Sequence, residues 1–487
     1  MSALHRAVRV EALEAFAAPW ELRHAFGDRP AVLLENPGVP SELGRYAFLG
    51  GDPFLEFEVS GGMTWVGTGD MKSIRFGNPL DILAGLLARY RCDHSPWREG
   101  MPPFLGGVMG YLGYELLTAV EPTVRLSAVD ELGVPEASLL FCGSVVAADL
   151  LAQRAWRVTQ AFHEVPAEAE SCAEALMARL RERTAQRAPE VYPGGLKRPE
   201  GRLSEVGVRS AGFVPRVTRE DYEATVEQAK ADIRDGTVFE VCTSQRFDGV
   251  YAGTGERLYA ALRALNPAPF AAWVRLPGLE VACSSPERFV RLDRAGWAQT
   301  RPIKGTRPRG ATEAEDARLR AELAEAEKDR AENLMIVDLA RNDLGRVCAF
   351  GTVRVPGLCE VEAHPFTSQL VSTVVGKLRE GLSAVDLVRA AFPGGSMTGA
   401  PKVEAMRRID ALEPARRGVF SGSIGYVDWD GAMDLNIVIR TLVKQGERVS
   451  FSVGGAVVAD SDAHAEYRET LDKAHALVAA VETARGA

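Results

Sequence analysis

The sequence predicts a mixed α/β protein, and three observations support this. Short apolar runs such as AVLLE at 31–35 and FLEFEV at 54–59 are typical of strands. Longer stretches with apolar residues three and four apart, such as residues 218–236, are typical of amphipathic helices. The length of 487 residues and the hydrophobic share of 46% allow a large core and more than one structural unit.

The first 186 residues carry an N-terminal α/β pattern. The predicted strands cover residues 31–35, 46–49, 54–59 and 137–150, and the predicted helices cover residues 81–90 and 167–186. A glycine-rich stretch at 106–116 contains aromatic residues, which indicates close approach of backbones. Residues 187–215 have no apolar period and contain four prolines and five glycines. We therefore predict a linker at 187–215, between an N-terminal region at 1–186 and a C-terminal region at 216–487.

The C-terminal region also alternates helices and strands. Thr218 and Asp221 form a capping pattern, so a helix is predicted to begin there and to end at Gly236. A second capping pattern, at Thr312 and Glu315, predicts one long helix over residues 312–340. The other predicted elements are strands at 239–247, 279–283, 289–292, 422–427, 435–442 and 449–458, and helices at 385–392, 402–412 and from about 461 onward.

Composition argues against several classes of function. The formal net charge of −9 disfavours a general nucleic-acid binder, because phosphate binding requires a basic surface. The seven cysteines are scattered without a CxxC pair, which favours reduced thiols in the cytoplasm over a disulfide framework or a zinc site. The N-terminus lacks the apolar core of a signal peptide. The sequence contains no run of about 18 apolar residues, so no membrane span is predicted.

The segment RPIKGTRPRG at 301–310 is a candidate for chemistry. Its one lysine, Lys304, lies close in sequence to Arg301, Arg307 and Arg309, and two prolines and two glycines prevent an ordinary helix. Neighbouring cations can depress the pKa of a lysine, so we expect a neutral, nucleophilic amine. The alternative is a solvated basic loop.

Two pairs of acidic residues occur at helical spacing. Asp329 and Glu332 are three residues apart on a predicted helix, as are Glu466 and Glu469 near the C-terminus. If these helices meet, the carboxylates can hold a hard divalent cation such as Mg²⁺, which prefers oxygen ligands. The alternative for each pair is a solvated helix face, and the sequence alone does not show that the helices meet.

Three other polar features lie beside predicted strands. Glu287 follows the strand that ends at Cys283, and it is either a buried general acid or base or an exposed loop residue. The loop PGGSMTGAPK at 393–402 precedes a helix and is either an anion-binding turn or a plain helix entry. Arg440 lies in an apolar predicted strand, where a charge needs an acidic partner or an anionic ligand.

Six ordered motifs resemble those of the chorismate-utilising enzymes. They are SPERF at 285–289, RPIKGTRPRG at 301–310, ENLMIVDLARNDLGRV at 332–347, FPGGSMTGAPKVEAM at 392–406, GSIGYV at 422–427 and AEYRETLDKA at 465–474. The resemblance is dense over about 215–480 and loose in the N-terminal half. It implies that the C-terminal region is catalytic and binds chorismate. It also implies an α/β fold with two stacked antiparallel sheets flanked by helices.

Within that family, Lys304 indicates the aminodeoxychorismate synthases. These carry PIKGT, as this chain does, whereas anthranilate synthases usually carry PIAGT. The resemblance implies that the lysine attacks C2 of chorismate with loss of the 4-hydroxyl, and that ammonia then adds at C4 and expels the lysine. The product would be 4-amino-4-deoxychorismate, on the route to 4-aminobenzoate and folate. The alternative is an anthranilate synthase component I, which forms anthranilate and pyruvate for tryptophan synthesis.

The resemblance also implies roles for the other candidate residues. Glu287 would be the acid that assists the departing 4-hydroxyl. Glu332 and Glu469 would bind Mg²⁺ directly, with Asp329 and Glu466 nearby, and the ion would hold the ring carboxylate of the substrate. The implied substrate-binding residues are Arg440, Gly454, Gly455, Ser396, Thr398 and Lys402.

Three positions depart from the family pattern. Gln369 stands where relatives frequently carry a histidine, so a proton-handling role is not expected there. Glu240 stands where many relatives carry glutamine and isochorismate-forming members a basic lysine, which argues against isochorismate or salicylate formation. LLEN at 33–36 resembles the LLES element that binds tryptophan in anthranilate synthases, with Asn36 in place of serine. We hypothesise that feedback inhibition by tryptophan is absent.

The source of ammonia is expected to be another chain. The sequence has no spare length for a fused amidotransferase domain, and the resemblance implies a separate glutaminase subunit that passes ammonia to this one. A lyase that completes 4-aminobenzoate is also expected to be separate. We expect the protein to act in the cytoplasm, without a nucleic-acid or membrane partner.

Overall fold

The structure, a computed structural model, describes residues 4–91, 97–192, 196, 201–364 and 367–486. Its strands are β1 (His5–Ala12), β2 (Ala31–Glu35), β3 (Tyr46–Ser60), β4 (Met63–Gly67), β5 (Ser73–Arg75), β6 (Gly107–Leu112), β7 (Ala137–Asp149), β8 (Arg154–His163), β9 (Phe213–Pro215), β10 (Glu240–Val250), β11 (Phe270–Leu276), β12 (Leu279–Ser285), β13 (Arg288–Leu292), β14 (Trp297–Thr300), β15 (Ile303–Pro308), β16 (Arg354–Ala363), β17 (Thr367–Lys377), β18 (Gly399–Ala400), β19 (Ser423–Asp428), β20 (Met433–Asn436), β21 (Thr441–Gln445) and β22 (Arg448–Val457). Its α-helices are α1 (Pro79–Tyr90), α2 (Leu117–Val120), α3 (Pro166–Arg183), α4 (Glu205–Ser210), α5 (Arg219–Arg234), α6 (Gly255–Leu265), α7 (Glu313–Glu325), α8 (Glu327–Gly345), α9 (Ala384–Ala391), α10 (Lys402–Leu412) and α11 (Ala463–Gly486).

The strands form two antiparallel sheets that share the long strands β3 and β7. The first sheet has the order β1, β8, β7, β3, β2, β11, β12, β21, β22, β10. The second sheet has the order β5, β4, β3, β7, β6, β19, β20, β13, β14, β17. Strands β9 and β18 pair with the free edge of β10, and β15 and β16 pair with β17.

The shared strands pass from one sheet to the other at a bend. Residues 46–51 of β3 pair with β7 in the first sheet, and residues 53–59 pair with β7 in the second. Between these parts, Asp52 has a φ of 48°, and the register shifts between Pro53 and Leu55. An extra residue of this kind bends a strand and increases its twist, so the two sheets turn toward each other.

The two sheets stack on a common apolar core. Val32 and Phe48 of the first sheet belong to the same buried cluster as Met109 and Tyr426 of the second. Helices α5, α6, α10 and α11 pack on the first sheet, and α1, α8 and α9 pack on the second. The predicted α/β fold, with two stacked antiparallel sheets flanked by helices, is confirmed.

Strands from both ends of the chain contribute to each sheet. In the first sheet β2 pairs with β11, and in the second sheet β6 pairs with β19. The region at 1–186 is therefore interlocked with the region at 216–487, and their division at 187–215 stays a prediction. Cys92 and residues 193–195 and 197–200 of the predicted linker lie outside the described residues. No helix in the described ranges is long and apolar enough to cross a membrane.

Three element predictions are wrong in their boundaries. The strands predicted separately at 46–49 and 54–59 are one strand, β3. The helix predicted over 312–340 is two helices, because Ala326 between α7 and α8 has an extended ψ of 100°. The strand predicted over 435–442 is interrupted between β20 and β21, where Arg440 has a φ of 51°. Apolar residues at 437–439 continue across the second interruption, so periodicity alone does not reveal it.

Gly51→Ala should lower the free energy of unfolding by about 1–3 kcal/mol, because overpacking a filled core is destabilising. An added Cβ at this bend would lie 2.5 Å from the Phe26 ring. Chemical denaturation measures the change. Gly85→Ala in α1 is the control, since nothing lies within 4 Å of its added Cβ. It should raise the free energy of unfolding by about 0.5–1 kcal/mol, as replacing glycine by alanine in a helix usually does. Wild-type stability of Gly51→Ala would contradict the close packing at the bend.

Candidate active site

Lys304 projects from an irregular part of β15. This strand pairs with β17 at Ile303 and again at Thr306, and the register shifts between them. Gly305 has a φ of 82°, and a Cβ added there would lie 2.8 Å from the carboxylate carbon of Asp329. Only glycine allows this positive φ so close to α8. An irregularity of this kind directs a side chain away from its regular position in the strand.

The Lys304 ammonium is buried among carboxylates. Its Nζ donates to Oε1 of Glu240 at 2.7 Å, and Oε2 of Glu332 lies 3.9 Å away. The Lys304 side chain is 10% exposed, and the Glu240 side chain is fully buried. Burial disfavours the ammonium, but the charges of Glu240 and Glu332 outweigh burial and raise the pKa of Lys304 above its usual value.

The expectation that neighbouring arginines depress the pKa of Lys304 is therefore wrong. The three arginines of the segment pair elsewhere: Arg301 with Glu362, Arg307 with Asp329, and Arg309 with Asp316. Residues that are close in sequence need not face the same group, because side chains alternate between the two faces of a strand. The groups that set the charge at Lys304 come instead from β10 and α8.

Glu287 is a buried carboxyl group at the junction of β12 and β13. Its backbone N–H donates to Oγ of Ser285, and its carbonyl accepts from the backbone N–H of Ile437. Burial raises the pKa of Glu287 to about 7, although a hydrogen bond from Ser396 and the charge of Lys304 act in the opposite direction. A carboxyl group with such a pKa can give or take a proton at neutral pH.

The loop at 393–402 presents Ser396 to Glu287 but turns Thr398 inward. The Ser396 hydroxyl bonds to the Glu287 carboxylate. The Thr398 hydroxyl instead donates to the carbonyl of Gly394 at 3.3 Å, and the Thr398 carbonyl accepts from the N–H of Cys242 at 2.9 Å. Ser396 therefore lies beside Glu287, whereas Thr398 holds the loop against β10, and the predicted contacts of both residues with substrate stay predictions.

Arg417 fastens the same loop to β10. Its buried guanidinium donates to the carbonyls of Met397 at 2.8 Å and Cys242 at 2.7 Å, and to both carboxylate oxygens of Glu413. Sequence reasoning missed Arg417, because nothing in its local pattern shows that it is buried. The i, i+4 spacing from Glu413 is the one signal that could have suggested an ion pair there.

Lys402 faces a buried acid rather than the cluster around Lys304. Its Nζ donates to Oδ2 of Asp343 at 2.7 Å and to the carbonyl of Ala391 at 2.6 Å. The predicted contact of Lys402 with substrate stays a prediction. The lysine ties the start of α10 to α8 and to the end of α9, and so frames the loop at 393–402.

Three of the four predicted metal ligands converge where α8 meets α11. The Lys328 ammonium lies 3.8 Å from Oε1 of Glu332 and 3.9 Å from Oε1 of Glu466. One turn further along α11, Glu469 contacts Lys473 at 2.7 Å. Burial raises the pKa of Glu466, while the charge of Lys473 holds the pKa of Glu469 below its usual value. The two helices therefore do meet, which the sequence left open.

The chemistry of this acidic cluster fits a hard divalent cation. Glu332, Glu466 and Glu469 offer carboxylate oxygens, the donors that Mg²⁺ prefers. A Cβ at Gly455 in β22 would lie 2.9 Å from Oε2 of Glu466, so glycine leaves the space beside the carboxylates open. Asp329 pairs with Arg307 at 3.1 Å. Within the described parts of the chain, no group of three side chains is already arranged to hold a metal ion.

Two lysines of this cluster escaped sequence reasoning. Lys328 and Lys473 lie four residues from Glu332 and Glu469 respectively, so helical spacing alone could have found them. Lys473 also donates to the carbonyl of Gly454 at 2.6 Å, which fixes β22 against α11. The charge of Arg440 reaches the other end of the site, where it lowers the pKa of Glu287.

Comparison with known proteins places this geometry in a family. A model of the chorismate binding enzymes matches residues 54–479, which is most of the chain. The chain belongs to the chorismate binding enzyme family. The resemblance read from the six sequence motifs is thus confirmed, and the cluster around Lys304 and Glu287 is the candidate active site of a chorismate binding enzyme.

The relatives of this chorismate binding enzyme include two types of synthase. An aminodeoxychorismate synthase of Streptomyces pristinaespiralis is 42% identical over 94% of this chain, which spans only 63% of that relative. The aminodeoxychorismate synthase component 1 of Klebsiella aerogenes is 38% identical, with 93% of this chain and 94% of that protein covered. The structure of anthranilate synthase component I from Streptococcus pneumoniae TIGR4 aligns with a TM-score of 0.76 and 29% identity, over 90% of this chain and 93% of that one.

Lys402→Met in this chorismate binding enzyme should lower the free energy of unfolding by about 3–5 kcal/mol, because it leaves the Asp343 carboxylate buried without its cation. The double variant with Asp343→Asn should recover much of this loss, since neither charge then remains. Chemical denaturation measures both. Arg389→Met, which breaks an exposed ion pair with Asp81, is the control and should cost less than about 1 kcal/mol. A Lys402→Met variant as stable as the control would show that the pair does not fasten α10.

Proposed function

We propose that this chain is the component of an aminodeoxychorismate synthase that converts chorismate and ammonia to 4-amino-4-deoxychorismate. The observation that carries the proposal is the buried amine of Lys304, which contacts Glu240 at 2.7 Å and acts electrostatically on the nearby acid Glu287. The names of the relatives from Streptomyces pristinaespiralis and Klebsiella aerogenes support the same activity.

In this proposal Lys304 is the nucleophile and Glu287 the acid. The amine first loses a proton, for which Oε1 of Glu240 is the nearest oxygen. Nζ then forms a bond to C2 of chorismate, both conjugated ring double bonds shift by one position, and the C4–O bond breaks. Glu287 gives its proton to the departing hydroxyl, which leaves as water. Ammonia next bonds to C4, both ring double bonds shift back, the C2–N bond breaks to release Lys304, and the proton lost by the ammonia nitrogen returns to Glu287.

We assign Mg²⁺ to Glu332 and Glu469, with Asp329 and Glu466 nearby. Bound there, the ion would offset the negative charge of the substrate carboxylate. This chain's own groups would orient the rest of the molecule. Arg440 would receive the enolpyruvyl carboxylate with its planar guanidinium, and the backbone N–H groups at Gly454 and Gly455 and the hydroxyl of Ser396 would lie along it.

The second candidate is an anthranilate synthase component I. The alignment with the Streptococcus pneumoniae anthranilate synthase favours it, since 90% of this chain is covered. In that reaction ammonia adds at C2 and pyruvate leaves, so no protein amine is needed at C2. Lys304 in close contact with Glu240 therefore favours amination at C4.

Ammonia is proposed to come from a separate glutaminase subunit in the cytoplasm. The name of the Klebsiella aerogenes relative, a component 1, supports a second component. Purified chain with ammonium salt should therefore turn over chorismate without glutamine, whereas glutamine alone should support no reaction. Mass spectrometry of the products, with and without a lyase, tests the whole proposal. A reaction that gives only anthranilate and pyruvate would replace it with the second candidate.

Lys304→Ala should reduce formation of 4-amino-4-deoxychorismate by at least about 100-fold, because nucleophilic catalysis is lost. Removal of the side chain also opens C2 to ammonia, so some anthranilate should appear. Product mass and anthranilate fluorescence measure both effects. Lys377→Ala on β17, far from the carboxylate cluster in its contacts, is the matched control and should react as the wild type. An unchanged rate in Lys304→Ala would remove the lysine from the mechanism.

The rate of chorismate amination should fall as pH rises above about 7. Burial raises the pKa of Glu287 to about 7, and only the protonated acid can assist the departing hydroxyl, so its active fraction decreases about tenfold per pH unit beyond that value. Profiles of kcat/KM between pH 6 and pH 9 measure this limb. Glu287→Gln should lose the limb and about 10²–10⁴-fold of the rate. A wild-type profile that rises steadily to pH 9 would contradict the acid role.

Tryptophan should not inhibit the reaction. The side chain of Asn36 forms hydrogen bonds within its own loop. Its Nδ2 donates to the carbonyl of Gly44 at 3.2 Å, and its Oδ1 accepts from the N–H of Gly38 at 3.1 Å. The adjacent cavity of about 170 Å³ is lined by Glu35 and Phe48 but not by Asn36. Steady-state rates with millimolar tryptophan check the expectation, and thermal shift detects binding without inhibition. A dose-dependent loss of activity would overturn the hypothesis.

A further inference from the structure

Glu240 brings a buried carboxylate to the lysine segment. It is the first residue of β10 and pairs in register with Ala400, at the end of the loop that carries Ser396. Its side chain has 0% exposure. A buried charge is costly unless paired and hydrogen-bonded, and the pairing here is with Lys304. The carboxylate is thus held at the amine by β10, a strand from outside the lysine segment.

Only half of this carboxylate has a partner. Oε1 accepts from Lys304, whereas Oε2 is buried and has no hydrogen-bond donor among the described residues. An ion pair retained for stability alone would be expected to satisfy both oxygens, since each unpaired buried acceptor costs about 1–3 kcal/mol. A charge kept at this cost indicates a role in function.

A second carboxylate near Lys304 could compete for its amine. Oε2 of Glu332 is 3.9 Å from Nζ, against 2.7 Å for Glu240. A lysine side chain has a flexible four-carbon stem. Without Glu240, the amine would be free to turn toward Glu332 and the acidic cluster of α8 and α11.

We propose that Glu240 is a positioning residue that holds the Lys304 amine over C2 of the substrate and thereby determines which ring carbon receives nitrogen. This inference rests on the proposed function and adds to it a control of product identity. While the amine occupies the approach to C2, ammonia can bond only at C4. When the amine turns away, C2 is open, and ammonia that bonds there leads through loss of pyruvate to anthranilate.

The test compares products from Glu240→Ala, Glu240→Gln and the wild type, each with chorismate, Mg²⁺ and ammonium salt. Glu240→Ala removes the acceptor, so we expect formation of the para-amino product to fall at least tenfold and the anthranilate share to rise at least fivefold. The KM for chorismate should change less than about threefold. Glu240→Gln keeps an oxygen acceptor of the same shape, so its product ratio should lie between those of the wild type and Glu240→Ala.

Glu256→Gln is the matched control. It removes the charge of a carboxylate that contacts Arg23 at 2.6 Å outside the site, and it should leave the product ratio unchanged. Circular dichroism establishes that each variant is folded. If Glu240→Ala does not fold, the ratio in Glu240→Gln decides. Wild-type ratios in the folded Glu240 variants, including a variant that is slower or faster with unchanged products, would overturn the positioning role.

Failure of this inference is distinguishable from failure of the proposed function. If the wild type forms only anthranilate, or consumes no chorismate, the proposed function itself is wrong and the inference falls with it. If the wild type forms the para-amino product and Lys304→Ala abolishes it, the proposed function stands, and the ratio in the Glu240 variants alone decides the role of that residue.

Discussion

The contact between Lys304 and Glu240 is the constraint on which the site depends. Both side chains are almost removed from water, so neither charge is tolerable without the other. Satisfying that pair requires three elements to meet: the irregular strand β15, the start of β10, and α8 with Glu332. The bulge between Ile303 and Thr306 and the positive φ of Gly305 bring the lysine to this meeting point.

The two-sheet architecture brings these elements together from distant parts of the chain. Strand β10 belongs to the first sheet, and β15 joins the second through β17. The sheets are held in one molecule by β3 and β7, whose bend lies far from the site in sequence. Arg417 then locks the loop of Ser396 to β10, and Lys402 locks the same loop to α8. The contacts of Arg417 and Lys402 each involve a buried charge. Such contacts fix the geometry of the loop, although removing the charge from water costs free energy.

Local patterns predicted the elements well and the contacts poorly. Apolar periods and caps located most helices and strands, and the ordered motifs indicated the family and stacked sheets. The predicted charge state of Lys304 was wrong. The arginines nearest in sequence pair with other acids, while Glu240, 64 residues away, stabilises the charged amine. The bonds by which Thr398 and Lys402 hold the loop were also not foreseen, and their predicted contacts with substrate stay predictions. Long-range partners leave no trace in periodicity, so only the i, i+4 pairs could have been found from the sequence: the lysines beside Glu332 and Glu469, and Arg417 beside Glu413.

The arrangement of charges also explains how one pocket can serve two opposite demands. The proposed reaction needs a neutral amine at Lys304, and it also needs ionised carboxylates to bind a divalent cation. The Glu332 carboxylate lies only 3.9 Å from that amine. Burial raises the pKa of both Glu287 and Glu332 to about 7, but Glu287 stands apart from the acidic cluster to which Glu332 belongs. In the proposed reaction, Glu287 delivers the proton and the acidic cluster binds the cation, so the two functions lie at different ends of the site with Lys304 between them. A single mixed cluster would let the cation suppress the acid, since nearby positive charge lowers the pKa of a carboxyl group.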